Sequence, residues 1–340
     1  MSQVRYSILD LAAVKENGTI ADSFRASLDL AQHAEELGFT RFWLAEHHNM
    51  AGIASAATSV LIGHIAGGTS RIRVGAGGIM LPNHSPLVIA EQFGTLETLY
   101  PGRIDLGLGR APGTDPGTVR ALRRNSTSSR DFPDDVQELL NLLDDPQPGQ
   151  TVRAVPGAGT HVPVWLLGSS TFSAQLAGTL GLPFAFASHF APQQLKDALH
   201  VYRSRFEPSR YLAKPYAMAG VPIIAADTDA AAQRLATSLI LRVAKLIRGE
   251  PFFMAPPVDS LAGLLSNDES LMVQSKLGAL IIGGPERVET GIEAFIADTQ
   301  VDEIMFTSEA YLHADRLRSF EIVAHAMGKL ASAASTLQYA

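Results

Sequence analysis

The stretch Arg41–Ala66, RFWLAEHHNMAGIASAATSVLIGHIA, contains the unit from which the fold can be predicted. Its first five residues are typical of a buried strand, with an apolar run at Phe42–Ala45, and Ser55–Ala66 has the length and spacing of a helix. Three titratable side chains, Glu46, His47 and His48, follow the run directly. A strand, a polar turn and a helix in this order predict one βα unit, with polar groups at the end of the strand.

The same alternation continues along the whole chain. Helical patterns separate most of the strand-like segments, and the clearest are Ser23–Leu37, Ser55–Ala66, Pro86–Leu99, Ser173–Leu180, Gln193–Phe206 and Asp229–Arg248. The eight predicted strands are Arg5–Leu11, Arg41–Ala45, Ile72–Met80, Ile104–Leu108, Val162–Leu167, Pro183–Ala187, Tyr216–Ala225 and Glu303–Thr307. Eight βα alternations favour an α/β (β/α)8 TIM barrel over a doubly wound sheet.

The lengths of the units are uneven, which predicts two insertions in the barrel. After the fourth strand comes a long polar stretch, Thr114–Gly159, with a helix of its own near Asp134–Leu143. In the region between the seventh and eighth strands, residues 249–276 are rich in turn residues and lack a clear periodicity. Long loops in compact enzymes are often functional, so we expect a mobile lid here, within a single domain spanning residues 1–340.

Composition excludes several classes of function. The formal net charge of −7 argues against a nucleic-acid partner, and the absence of cysteine excludes disulfides, thiolate metal sites and thiol catalysis. The N-terminus lacks the architecture of a signal peptide. Asn49–Ser70 carries no Asp, Glu, Lys or Arg, but its Ala, Gly, Ser and Thr residues make it only weakly hydrophobic. We therefore expect a cytoplasmic protein that does not associate with membranes.

The paired histidines are the first candidates for chemistry. Neighbouring residues at a strand end point to opposite faces, so at most one of His47 and His48 faces the mouth of the barrel. That arrangement argues against a metal site in which both histidines bind one ion, and no metal is predicted. A pocket-facing histidine with a pKa near 6.5 is suited to acid–base catalysis. The alternative is that both side chains only stabilise the loop.

A candidate anion site lies at the ends of the next strands. Arg110 leaves the fourth strand within GLGRAPG, where glycines allow a close approach to a ligand. Gly168, Ser169 and Ser170 follow the fifth strand and open a helix, which places free N–H groups and hydroxyls at a positive helix end. Together these groups predict a phosphate cradle. Ordinary helix capping by the serines and a surface ion pair of Arg110 remain alternatives.

Two helices carry small residues every fourth position. They are Ser55, Ser59, Gly63 and Gly67 on one helix and Ala90, Gly94 and Thr98 on the next. Such stripes allow backbones to approach closely, either within the barrel or between two subunits. Because the stripes are uncharged and adjacent helices share them, they slightly favour a homodimer through residues 55–67 and 86–99.

Several stretches in order resemble the bacterial-luciferase-like monooxygenase family, especially its FMN-dependent luciferase-like oxidoreductases. They are RFWLAEHHNMAGIASAATSVLIGHIA, VGAGGIMLPNHSPLVIAEQFGTLETLYPGRIDLGLGRAPGTD and VPVWLLGSSTFSAQLAGTLGLPFAFASHFAP. The resemblance covers nearly the whole chain. It implies a TIM barrel that takes reduced FMN from a separate flavin reductase and uses O2, through a C4a-peroxyflavin, to oxidise a small apolar organic substrate such as an aldehyde.

The resemblance also implies roles for individual residues. His47 matches the functional histidine, supported by Glu46 and His48, and Arg110 matches the arginine that binds the FMN phosphate. Gly77 and Gly78 fall where the family has a non-proline cis peptide beneath the flavin. The remaining cofactor-binding candidates are Gly168, Ser169, Ser170, Ser173 and His189.

One departure limits what the resemblance implies. Luciferase has a cysteine at the position of Gly109, so stabilisation of the peroxide and light emission are not expected to carry over. Three other functions remain open from the sequence. They are an oxidoreductase that uses a deazaflavin such as F420, a flavin-binding protein without catalysis, and a metal-dependent hydrolase that uses His47 or His48.

Overall fold

The computed structural model describes residues 4–111, 113–124 and 128–338. Nine strands lie within these residues, and every strand pairing among them is parallel. The strands are β1 Arg5–Asp10, β2 Arg41–Leu44, β3 Arg73–Met80, β4 Ile104–Gly109, β5 Val164–Gly168, β6 Phe184–Phe186, β7 Ala217–Ala225, β8 Ile281–Gly283 and β9 Glu303–Thr307.

Eight of these strands close into a barrel. Neighbouring strands pair in the order β1 to β7, β7 also pairs with β9, and β9 pairs with β1. The predicted (β/α)8 TIM barrel is therefore confirmed. The short strand β8 lies outside the closed set and pairs with Ile223–Ala225 at the end of β7. It was not predicted, because three residues are too few to show a period.

Helices connect the strands. Within the described residues they are α1 Ile20–Glu36, α2 Thr58–Gly67, α3 Pro86–Leu99, α4 Pro116–Ala121, α5 Phe132–Leu143, α6 Thr171–Leu180, α7 Leu195–Ser204, α8 Asp229–Arg248, α9 Asn267–Lys276, α10 Pro285–Thr299 and α11 His313–Gln338. Capping explains one difference from the predicted bounds. Helix α1 begins three residues early because Thr19 and Asp22 form a capping box.

Both predicted insertions contain ordered helices. The stretch after β4 holds α4 and α5, and α5 packs against α3. The segment 249–276 holds α9, whose apolar residues lack the spacing that would have revealed it. Its first part is tied to the barrel, because the N–H of Met254 donates to Val14 and its carbonyl accepts from Glu16. That the segment moves as a lid stays a prediction.

The interior of the barrel has two layers of different character. Trp43, Trp165, Met218 and Met305 form an apolar cluster inside the strands. Below it, at the amino ends of the strands, lies a layer of buried charges, which we call the charged floor: Arg41, Arg73, Asp105 and Glu303. The floor separates the apolar cluster from the amino ends of the strands.

In the described part of the chain, no helix combines the length and the apolar character needed to span a bilayer. Only ten residues of the uncharged stretch Asn49–Ser70 are consecutive in a helix, namely α2.

Candidate active site

A cavity of about 230 Å³ opens at the carboxyl ends of the barrel strands. In TIM barrels this face carries the active site. No Asp, Glu or Lys side chain of the described residues lines the cavity. Most of its wall is formed by large apolar side chains, namely Leu9, Trp43, Met80, Leu167, Phe186, Phe190, Met218 and Met305. Such a wall favours an apolar, largely uncharged ligand.

The structure brings most of the candidate residues together around this cavity. Those that line it are His47, Gly77, Gly78, Arg110, Gly168, Ser169, Ser170, Ser173 and His189. Glu46 and His48 are not among the lining residues and lie behind the wall instead. Residues from five successive strand ends thus meet at one site, although they span more than 140 positions of the chain.

At Gly77 and Gly78 of β3, the cavity wall is made of backbone alone. The peptide bond between Gly77 and Gly78 is cis, as the resemblance implied. A Cβ atom on Gly77 would lie 2.7 Å from the side chain of Leu9, and one on Gly78 would lie 2.7 Å from the carbonyl oxygen of Gly107. A side chain at Gly78 would collide with the backbone of Gly107, and one at Gly77 would require Leu9 to move, so the two glycines let a flat ligand approach the strand itself.

Arg110 and the start of α6 lie side by side. The guanidinium of Arg110 lies over the ring of Phe172, the second residue of α6, and no ion pair to a carboxylate is formed within the described residues. Ser170 occupies the N-cap position, but its side chain makes no capping hydrogen bond. The capping alternative therefore fails for Ser170. A cation, free hydroxyls and a helix N-terminus converge on one edge of the cavity, which suits a phosphate.

Two histidines face the cavity with unused nitrogens. The Nδ1 atoms of His47 and His189 are buried and have no hydrogen-bond partner. Burial lowers the pKa of His47, although the carbonyl of Gly113 opposes the shift. Burial and the nearby His47 lower the pKa of His189 to about 4. Both rings are therefore neutral at pH 7.

Behind the wall, Glu46 joins two other histidines. Its Oε1 atom lies 2.7 Å from Nε2 of His48 and 2.8 Å from Nε2 of His84, and its Oε2 atom accepts from the N–H of Met80. Burial acts to raise the pKa of Glu46, but the hydrogen bonds from the two histidines outweigh it and lower the pKa to about 2. His84 was not among the residues predicted from the sequence, although it lies just past a predicted strand end.

The chain is similar to known proteins along its length. The sequence profile of the luciferase-like monooxygenase family matches residues 4–303. YvbT of Bacillus subtilis (strain 168) is 61% identical over 322 residues, which are 94% of this chain and 95% of YvbT. A luciferase-like monooxygenase of Escherichia coli (strain K12) is 54% identical over 320 residues, which are 94% of this chain and 96% of that protein.

Solved structures agree with these relatives. Apo-MsnO8 has a TM-score of 0.85 at 34% identity and covers 96% of this chain and 98% of its own. The oxygenating constituent of 3,6-diketocamphane monooxygenase from Pseudomonas putida, solved with FMN, has a TM-score of 0.70 at 17% identity, with 96% and 98% covered, a likeness of fold alone. The profile match and the identities together show that this chain belongs to the luciferase-like monooxygenase family.

Proposed function

We propose that this protein is a flavin-dependent monooxygenase that uses reduced FMN and O2 to oxidise a small apolar organic substrate. The observation that carries the proposal is the meeting of Arg110 with the uncapped start of α6 at one edge of the cavity. This edge suits the FMN phosphate, and the side-chain-free wall at Gly77 and Gly78 suits a planar ring. The 3,6-diketocamphane enzyme, with the same fold, binds FMN.

The protein's own residues have limited but distinct tasks. Bound reduced flavin supplies the oxygen chemistry, and the barrel orients it. The apolar wall, with Trp43, Met218 and Met305, keeps water from the reacting atoms. His47, neutral because of burial, accepts or donates a proton at Nδ1. His189 offers a second neutral ring to a polar atom of flavin or substrate.

An anaerobic titration tests the cofactor. Protein purified without a tag is titrated with FMN, reduced FMN and F420, and tight binding of reduced FMN is expected. Preference for F420 would instead favour a deazaflavin oxidoreductase, a chemistry found in an F420-dependent secondary alcohol dehydrogenase of similar fold.

Oxygen consumption tests the reaction. The FMNH2-loaded protein is mixed with O2 and a panel of uncharged aldehydes, ketones and thioethers, and one oxygenated product per O2 is expected. Release of all the oxygen as hydrogen peroxide with every substrate would favour a flavin-binding protein without catalysis. We also expect no turnover from NADH or NADPH until a separate flavin reductase is added.

We further propose a homodimer through α2 and α3. The small residues on α3 make their close contacts within the chain, since a Cβ on Gly94 would lie 2.2 Å from Cα of Gly157. The outer face of the two helices is nevertheless apolar, with Val60, Val88 and Leu99 all exposed. Light scattering is expected to give twice the chain mass, and Val60→Glu is expected to give the chain mass.

A further inference from the structure

The side chains of Glu46, His48 and His84 form a compact cluster outside the cavity wall. One ligand atom from each lies within 4.8 Å of the other two. Glu46 is buried, with 1% of its side chain exposed, whereas His48 and His84 are 17% and 27% exposed. The cluster is therefore closed on the protein side and open to solvent on the other.

The chemistry of the three donors suits a particular class of ion. Two imidazole nitrogens and one carboxylate are ligands of Zn²⁺ and its first-row neighbours, whereas Ca²⁺ and Mg²⁺ prefer oxygen alone. Three protein ligands with an open position are the arrangement of zinc sites that retain a bound water. The open side of the cluster leaves room for that water.

The geometry needs only a small adjustment. Bonds of about 2.0–2.2 Å to a metal would hold neighbouring ligand atoms about 3.0–3.5 Å apart. The present distances from Glu46 to His48 and His84, 2.7 and 2.8 Å, are a few tenths of an ångström shorter. Both histidines lie outside regular elements, since His48 follows β2 and His84 follows the short 3₁₀ turn Leu81–Asn83. Their side chains can therefore separate enough to admit an ion.

The carboxylate is already oriented for this role. The N–H of Met80 donates to Oε2 of Glu46 at 3.2 Å, which leaves Oε1 directed at both histidines. Hydrogen bonds of this kind to the outer atom of a ligand typically strengthen a metal site. We propose that Glu46, His48 and His84 bind one divalent transition-metal ion per chain, with solvent completing its coordination. This site does not depend on the proposed use of flavin.

Metal titration of the untagged full-length protein tests the site. After chelator treatment, Co²⁺ is titrated by visible absorption and Zn²⁺ by calorimetry, and one ion per chain is expected. His84→Ala should weaken Zn²⁺ binding about a hundredfold or more. His200→Ala removes an exposed histidine of α7 and should leave binding unchanged. Zn²⁺ should also raise the unfolding temperature of the wild type but not of His84→Ala.

Two results would overturn the metal site. One is the absence of Zn²⁺ and Co²⁺ binding to the wild type, and the other is equal binding by the wild type and His84→Ala. Glu46→Gln is a second variant that should lose the ion, and His48→Ala replaces it if Glu46→Gln does not fold. Because FMN binding is measured separately with Arg110→Ala, a failed metal site and a failed flavin site give different results.

Discussion

The guanidinium carbon of Arg110 lies 4.0 Å from the ring centroid of Phe172, so the residue after β4 packs directly on the first turn of α6. This contact places a positive side chain beside the positive end of a helix dipole. The two positive charges repel each other unless an anion lies between them. The relationship therefore favours a bound anion more strongly than either group would alone.

Replacing Arg110 by alanine tests the phosphate role. We expect Arg110→Ala to weaken FMN binding about 10- to 100-fold, since hydrogen bonds to charged groups contribute about 1.5–3 kcal/mol, and to change riboflavin binding much less. Fluorescence titration measures both affinities. Arg71→Ala, an exposed arginine away from the cavity, is the control. Equal losses for FMN and riboflavin would remove Arg110 from the phosphate site.

Replacing His47 by alanine tests proton transfer. The flavin affinity of His47→Ala should stay within about twofold, while turnover should fall about 10²- to 10⁴-fold, the usual contribution of a positioned acid or base. Oxygen-coupled product formation with an added reductase measures turnover. His200→Ala, which removes an exposed histidine of α7, controls for general effects. Unchanged turnover would instead support the loop-stabilising alternative.

The pKa of His189 predicts a pH dependence of stability. Burial and His47 lower this pKa to about 4, below the usual value of about 6.5 in the unfolded chain. Between these values the unfolded state binds more protons, so the free energy of unfolding should fall as the pH falls from about 6.5 to 4. His189→Asn should flatten this dependence by up to about 1.4 kcal/mol per pH unit.

Urea unfolding of wild type and His189→Asn at pH 7.5, 6.0 and 5.0 measures the difference. The buried carboxylates Asp10 and Asp105 also have lowered pKa values, but they are present in both proteins and cancel in the comparison. Parallel stability curves for the two proteins would contradict the prediction.

The charged floor predicts a large cost for removing one charge. Oδ2 of Asp105 lies 2.7 Å from Arg41, and Oδ1 lies 2.6 Å from Arg73. Asp105→Asn leaves the buried Arg41 with one of its two carboxylate partners, so we expect the free energy of unfolding to fall by about 3–5 kcal/mol. Asp298→Asn breaks the exposed pair with Lys196 and should cost no more than about 1 kcal/mol. Similar losses of unfolding free energy for the two variants in urea would contradict the prediction that the charged floor stabilises the fold.

Two glycines of the small-residue stripes should respond differently to alanine. A Cβ on Gly94 would lie 2.2 Å from the backbone of Gly157, so Gly94→Ala should cost at least about 1–3 kcal/mol. A Cβ on Gly63 would meet only the side chain of Leu96 at 3.4 Å, and Gly63→Ala should be neutral or stabilising by up to about 1 kcal/mol. Thermal unfolding measures both. A destabilised Gly63→Ala with an unaffected Gly94→Ala would reverse the assignment.

The barrel was predictable because its strands carry a local signal. Apolar runs such as Phe42–Ala45 can be read directly, and parallel strands are buried on both faces. Short or weakly patterned elements were missed. Helix α9 has a single buried residue, Val273, so its sequence shows no apolar stripe.

The pattern alone selected candidate site residues only where they follow a predicted strand. His47, Arg110 and Ser170 could be selected in this way, because parallel strand ends meet at one face. Glu46 and His48 were selected, but their contact with His84 was not predicted, since His84 reaches Glu46 through a turn whose path depends on tertiary packing. The sequence also could not reveal that the backbone of Gly157 packs against Gly94, because that contact joins segments more than 60 residues apart.

The bridge between Lys15 and Met254 attaches the first part of the segment 249–276 to the barrel. Met254 is held on both sides by backbone hydrogen bonds to Val14 and Glu16, and a Cβ on Gly52 would collide with Phe252 at 2.4 Å. If the segment moves as a lid, as the sequence predicts, the residues before Met254 would stay with the barrel. The residues after Met254 are tied to α8, since the N–H of Val258 donates to the hydroxyl of Thr237 and Asp259 pairs with Arg234, so a lid movement of this segment would have to break these contacts.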